Sequence, residues 1–345
     1  MPEYPLPSDD LDLVFSQVGE SWESLRSGNI FITGGTGFFG IWLLETFIWA
    51  NDALSLGAKM VVLTRNPAAF KARCPHLAKR PDIHLHQGDV RDFIHPEGQF
   101  SHVIHAATET SVRSLPSDTT GAFHAITDGT RHVLDFTAES GAERFLYISS
   151  GAVYGRQPPE LPRLPESFSG APNPYCESSY YGEAKRASEF LCAAHARTHD
   201  YVMNTARCFA FIGPHLPLDG PYAIGNFIRD GLEGNPICVT GDGCAVRSYL
   251  YAADLAAWLW RILITGHGNC SYNVGSEQSV CIQDLADLVR DILNVSVVDS
   301  TEPLVPSADH SRYVPDTSLA HAELDLVEWT PLSEAIRKTV SWLVV

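Results

Sequence analysis

Three stretches of this chain carry residues whose types and spacing suit chemistry: TGGTGFFG at 33–40, Ser149-Ser150 at the end of RFLYISS, and Tyr181 with Lys185 in SSYYGEAKRASEF. Gly34, Gly37 and Gly40 follow the apolar run NIFI and lead into IWLLETFIWA, with Phe38 and Phe39 opening the second segment. Glycine lets a backbone turn tightly and approach a pyrophosphate, and a helix start offers unpaired N–H groups and a positive dipole end. Strand, glycine loop and helix in that order are the setting of a dinucleotide site; the plainer reading is a bend between two buried segments.

Tyr181 and Lys185 stand four apart, on one face of a helix. A phenol titrating at about 10 is a poor base at pH 7, but a nearby ammonium stabilises the phenolate. Tyr181 could then exchange a proton with a sugar or alcohol oxygen while a cofactor exchanges hydride. Alone, the same spacing describes any exposed helix face. Ser149-Ser150 strengthens the case, because a strand's carboxyl end is where ligands bind in α/β sheets, and a hydroxyl there can hydrogen-bond the reacting oxygen.

The next strand, KMVVLT, ends in Thr64 followed by Arg65, where an acidic residue would otherwise accept from a ribose 2′-hydroxyl. An arginine there accommodates a 2′-phosphate, so NADP(H) is expected over NAD(H); the plainer reading is an exposed loop arginine.

Positioning these groups takes a scaffold, and strand-like and helix-like runs alternate from NIFIT through KMVVLT, DIHLHQG, SHVIHAA and a helix over 122–140 to RFLYISS. That alternation predicts parallel strands joined by crossover helices, an α/β doubly wound sheet of Rossmann type. Residues 155–174 are too rich in proline and glycine for helix or strand and read as a long surface loop; a helix over about 178–198 and a strand over 202–208 follow. With 345 residues, and about 100–200 per domain, the expected division is an extension over 1–27, a dinucleotide-binding domain over 28–207, and a smaller α/β lobe over 208–345 that is mainly substrate-binding and returns some segments to the first.

The balance of 41 acidic against 24 basic residues, a formal charge of −17 with no basic patch, argues against a nucleic-acid partner. The eight cysteines form no CxxC pair or zinc-ligand cluster and are expected as reduced thiols of a cytoplasmic protein; no metal is expected. The N-terminal residues lack the features of a secretory signal, and the most apolar run, 31–50, is broken by glycines and Glu45, so no membrane span is expected.

On these motifs the chain resembles the extended short-chain dehydrogenase/reductases, the NAD-dependent epimerase/dehydratase family that acts on nucleotide sugars. The resemblance implies that Gly34, Gly37, Phe38, Phe39 and Gly40 hold the cofactor diphosphate. It also implies that Asp89 and Val90 in GDV face the adenine, that Ala106 and Ala107 line the cofactor cleft, and that Ser150, Tyr181 and Lys185 are catalytic. Ser150 is matched through VYG at 153–155. RCFAFIGP and GDGCAVRSYLYAADLA resemble two further family segments, and by the second Arg247 would clamp the substrate's diphosphate; otherwise it is a surface ion pair. Where the family's dehydratases carry Asp-Glu after the catalytic hydroxyl, and its decarboxylases a Glu, this chain has Gly151-Ala152. Ile126 and Ala210 stand where the family carries asparagines.

The expected reaction is oxidoreduction at C4 of a nucleotide-activated hexose. A 4-keto-6-deoxy sugar reductase is the first choice and a 4-epimerase with retained NAD the second. A 4,6-dehydratase or a non-catalytic dinucleotide binder are lesser alternatives. The resemblance further implies a homodimer through the helices near 122–140 and 178–198.

Overall fold

The computed structural model describes residues 5–108, 117–220, 222–239, 241–299 and 311–344. Its first half runs α1 (Ser8–Val18), β1 (Asn29–Thr33), α2 (Phe38–Leu54), β2 (Lys59–Thr64), α3 (Pro67–Arg73), α4 (Pro75–Ala78), β3 (Ile83–Gln87), β4 (His102–His105), α5 (Thr119–Glu139) and β5 (Arg144–Ser150). Then come α6 (Tyr180–Ala196), β6 (Val202–Cys208), β7 (Phe211–Ile212), α7 (Ala223–Leu232), β8 (Ile237–Val239), β9 (Val246–Ser248) and β10 (Leu250–Tyr251). The remainder is α8 (Ala252–Thr265), β11 (Cys270–Val274), β12 (Ser279–Cys281), α9 (Ile282–Leu293), β13 (Val297–Asp299), β14 (Arg312–Tyr313), α10 (Ser318–Leu324) and α11 (Leu332–Leu343).

Strands such as NIFIT and KMVVLT are apolar at consecutive positions, the pattern of a sheet covered on both faces. They form one sheet of seven parallel strands in the order β11-β6-β5-β4-β1-β2-β3. This is the Rossmann-type α/β architecture expected from the alternation. The strand order reverses between β1 and β4, so the crevice at their carboxyl ends is the place for a ligand. The glycine loop after Thr33 and Ala106-Ala107 after His105 meet there.

Helices cover both faces. α5 and α6 pack together on one face, burying Val133, Phe136 and Cys192 with Met203 of β6. Asp118 caps the start of α5 by accepting from the Gly121 N–H at 2.7 Å. α2 and α8 cover the other face, and α1 lies across them. The buried residues Leu11, Val14 and Val18 recur at helical spacing on α1, and Trp22 in the 3-10 turn that follows is fully buried against Trp260, ring centres 5.0 Å apart. Buried Asp10 accepts from the Tyr251 hydroxyl and from Lys338 Nζ, both at 2.6 Å, joining α1 to α11.

Short strands of the second half build a platform at the sheet's carboxyl edge, with β9 between antiparallel β12 and parallel β14. The 155–174 loop is fastened to it: the Leu164 N–H donates to Val314 O and the Asp316 N–H to Leu164 O, each at 2.9 Å.

Replacing Trp22 by Ala removes a fully buried ring from the α1–α8 contact. Urea unfolding should show about 3–5 kcal/mol of lost stability, the usual cost of deleting a buried aromatic.

Candidate active site

The glycine loop is a cradle with no room for side chains where it touches its neighbours. Gly34 has φ +73°, and a β-carbon there would stand 2.5 Å from the Ala106 carbonyl carbon. At Gly40 it would stand 2.3 Å from the backbone of Gly35. Gly37 precedes α2 in an extended conformation with no side-chain cap, so the first N–H groups of the helix, at Phe38 and Phe39, have no partner from a capping side chain. Thr33 braces the far wall: its hydroxyl accepts from the Ala107 N–H at 3.0 Å and hydrogen-bonds buried His105 Nδ1 at 2.7 Å. Burial and the charge of Lys185 push the His105 imidazole down to about 3, which keeps it neutral. Arg73 of α3, which the sequence reading did not single out, donates to the Thr36 carbonyl and steadies the turn from outside. Backbone donors in a side-chain-free cradle fit a dinucleotide diphosphate.

Val90 packs against Gly129 of α5, where a β-carbon would stand 2.8 Å from its methyl. The Asp89 carboxylate is held by Arg91, whose Nε donates to it at 2.8 Å, and it is drawn below its ordinary range by Arg91 first, with the charge of Arg65 contributing.

Alternation along β5 separates the two serines. Ser149 turns to Glu189, donating at 2.6 Å, while Ser150 turns to the reaction centre and accepts from the Ala152 N–H at 3.1 Å. On α6, Lys185 is buried with its Nζ donating to Ile148 O at 2.8 Å. The ammonium lies 4.9 Å from the centre of the Tyr147 ring and 5.9 Å from that of Tyr181, so it supports Tyr181 across the ring. Burial pulls Lys185 down to about 8. Burial, with Tyr222 adding to it, pushes the Tyr181 hydroxyl well above its usual range, and hydrogen bonding to Ser150 opposes that rise. The structure thus brings Ser150, Tyr181 and Lys185 together at the carboxyl end of β5.

Arg247 lies on β9, its guanidinium folded onto Val246 O at 2.8 Å and Ser311 O at 3.0 Å. Its register partner on β14 is Tyr313, a residue the sequence reading missed. The Tyr313 ring packs on Phe209, centres 4.6 Å apart, and its hydroxyl lies against Gly151. A β-carbon on Gly151 would stand 2.6 Å from that hydroxyl. No local spacing marks Tyr313, because the pairing of two short strands brings it in. The bare glycine at 151 was visible, but not what fills its place.

A model of the NAD dependent epimerase/dehydratase family matches residues 30–275. UDP-glucuronic acid decarboxylase 1 of Arabidopsis thaliana is 29% identical over 313 residues, covering 90% of this chain and 69% of that protein. For decarboxylases 4 and 2 of the same plant, the chain spans 65% and 64% of their length, just under two thirds. Among solved structures, the dTDP-glucose 4,6-dehydratase of Streptomyces venezuelae with NAD bound superposes with TM-score 0.77 at 22% identity, covering 92% of this chain and 97% of that one. The UDP-glucose 4-epimerase of Thermus thermophilus in complex with NAD does so with TM-score 0.72 at 23% identity, over 91% and 98%.

These findings correct the cofactor expectation: the matching family is described as NAD dependent and both solved structures hold NAD, which overturns NADP(H). The physical reason lies at the end of β2, where exposed Arg65 acts on the Asp89 carboxylate, a neighbour that would repel a 2′-phosphate.

Gly40→Ala forces a methyl into the Gly35 backbone. Titration should show NAD binding weakened about ten- to a hundredfold, matching the 1–3 kcal/mol of overpacking.

Proposed function

The chain belongs to the NAD dependent epimerase/dehydratase family, and on that premise we propose that it is a nucleotide-hexose 4-epimerase that keeps its NAD through the cycle. It is a dinucleotide-dependent enzyme with redox chemistry at C4 of a sugar nucleotide. The observation that carries the finer reading is position 151: the residue after Ser150 has no side chain, and Tyr313 and Phe209 fill the space beside it. Dehydration or decarboxylation in the family's manner needs a carboxylate within 151–152, where this chain has Gly151-Ala152. The 4-keto-6-deoxy reductase expected from Arg65 loses its support with NADP(H).

Reversible hydride exchange with C4 of the hexose is the chemistry that would be supplied at this site by NAD. Gly34, Gly37 and Gly40 with the N–H groups of Phe38 and Phe39 would hold its diphosphate, and Asp89, Val90, Ala106 and Ala107 would line the cleft. Ser150 would hold the C4 oxygen, and Tyr181 would take the hydroxyl proton and give it back. The Lys185 ammonium would offset the charge of the phenolate formed. Arg247, released from Ser311, would clamp the substrate's diphosphate. A homodimer through α5 and α6 is part of the reading, and Phe190 of α6, 67% exposed, is its apolar support.

Denaturing the purified protein should release NAD. UDP- and dTDP-hexoses should then give the C4 epimer by NMR without net NADH; an empty protein, or an accumulating keto or pentose product, overturns the proposal. Tyr181→Phe should lower kcat by about 10²–10⁴ with NAD content unchanged, as expected for loss of a general acid–base. In the free enzyme the kcat/KM profile should fall as pH rises through about 8, where Lys185 loses its proton.

A further inference from the structure

A guanidinium carries five N–H donors in a rigid fork and a permanent positive charge. That of Arg73, half-buried at the end of α3, makes one hydrogen bond among the described residues, from Nη2 to the Thr36 carbonyl in the glycine loop. Its Nε is buried with no acceptor, and no described carboxylate stands in ion-pair contact with it. Glu45 of α2, a buried acid of the same corner, is taken by His76 instead, Oε1 to Nε2 2.5 Å. Burial first, and then the charges of Arg73 and His76, push the His215 imidazole down to about 4, so it is neutral at pH 7. Holding a carbonyl needs only a neutral donor, whereas a cation drawn partly out of water without a counter-ion is costly. The charge of Arg73 therefore has no use that the protein alone explains.

The peptide it holds lies at the edge of the cradle. Its oxygen is fixed by Arg73 and its other end by the Gly37 N–H, which donates to Gly34 O at 3.0 Å, so the negative end of that peptide is turned onto the guanidinium. α2 begins two residues later at Phe38 with no side-chain cap. Two residues span at most about 7 Å, inside the Debye length of about 10 Å at 0.1 M salt. The other cations of the site are engaged elsewhere: Arg65 acts on Asp89, and Lys185 donates to Ile148 O.

We propose that Arg73 is the counter-charge of the cofactor cradle: from behind Thr36 it favours an anionic diphosphate at the N–H groups of Phe38 and Phe39, and so sets how tightly the dinucleotide is kept. It acts through its field and takes no part in proton or hydride transfer. The inference rests on the proposed function for the ligand of the cradle, not for the reaction.

Arg73→Gln keeps a donor and removes the charge, while Arg73→Lys keeps the charge. A half-buried side chain at a helix end leaves no core cavity, so the thermal transition should be the same in all three proteins. Titration of nucleotide-free protein at about 0.05 M salt should show NAD and ADP-ribose bound about tenfold more weakly by Arg73→Gln, and within about threefold of the wild type by Arg73→Lys. Adenosine, which has no phosphate, should bind all three alike. At about 0.5 M salt, where the Debye length shrinks to about 4 Å, the tenfold gap should narrow to about twofold. A gap that ignores salt, or an equal loss for adenosine, makes Arg73 a brace of the loop alone and overturns the inference, as does an Arg73→Gln that binds NAD like the wild type. A wild type that binds neither NAD nor ADP-ribose overturns the cradle reading and this inference together. A wild type that binds both with the expected dependence on Arg73, yet epimerises no nucleotide hexose, overturns the proposed function alone.

Discussion

Burying the Lys185 ammonium is the constraint around which the site is arranged. An ammonium taken from water costs several kcal/mol unless partners replace the lost hydration. Here they are the Ile148 carbonyl at 2.8 Å and the face of Tyr147. Both belong to β5, so α6 must lie along that strand in one rotational setting. That setting places Tyr181 one turn earlier, beside Ser150, and Glu189 one turn later, beside Ser149 and Arg207. Arg207 in turn donates to the Tyr154 hydroxyl at 2.9 Å, and Tyr154 to Asn273 at 2.8 Å, which links β5, β6 and β11 under the reacting groups. Rotating α6 by one residue would strand the ammonium and lose the phenol together.

Local features of the site were legible in the sequence because their chemistry is written in short spacings. TGGTGFFG between a strand and a helix, Tyr181 four residues from Lys185, and the alternation of elements all lie within single segments. The alternation predicted a doubly wound parallel sheet, whereas its order of seven strands is set by pairings between segments far apart in the chain. Arg65 misled for a physical reason: an arginine at a strand end reads the same whether a phosphate or a carboxylate such as Asp89 stands beside it, and only the fold tells them apart. Tyr313 was illegible for another. It comes beside Gly151 by the pairing of β14 with β9, whose register no local pattern encodes. The extension over 1–27, likewise, gave no sign of the face of α8 that α1 covers.

The second half of the chain does more than flank the sheet. It sends β11 to the sheet's edge, Phe209 and Tyr313 against Gly151, and Val314 and Asp316, just past β14, into the hydrogen bonds that pin the 155–174 loop. The reacting hydroxyl is enclosed by groups from both halves, so its surroundings are as well defined as the packing between them. That packing is built from aromatic rings and backbone pairing, with few flexible side chains, which suits a centre where displacements of about 1 Å cost catalysis.

The contact of α1 with α8 bears on how the chain comes off the ribosome. Leu11, Val14, Val18 and Trp22 are synthesised more than two hundred residues before the surface that buries them, which is made from residues 252–265, and the Lys338 that pairs with Asp10 is made later still. β6 must likewise wait for β11 before its outer edge is paired. Contacts this distant in sequence close slowly, and until they close the early apolar face is open to solvent and to other chains. The nascent protein therefore carries an adhesive segment until the distant residues that cover it have been made, a burden on chaperones that the folded molecule no longer displays.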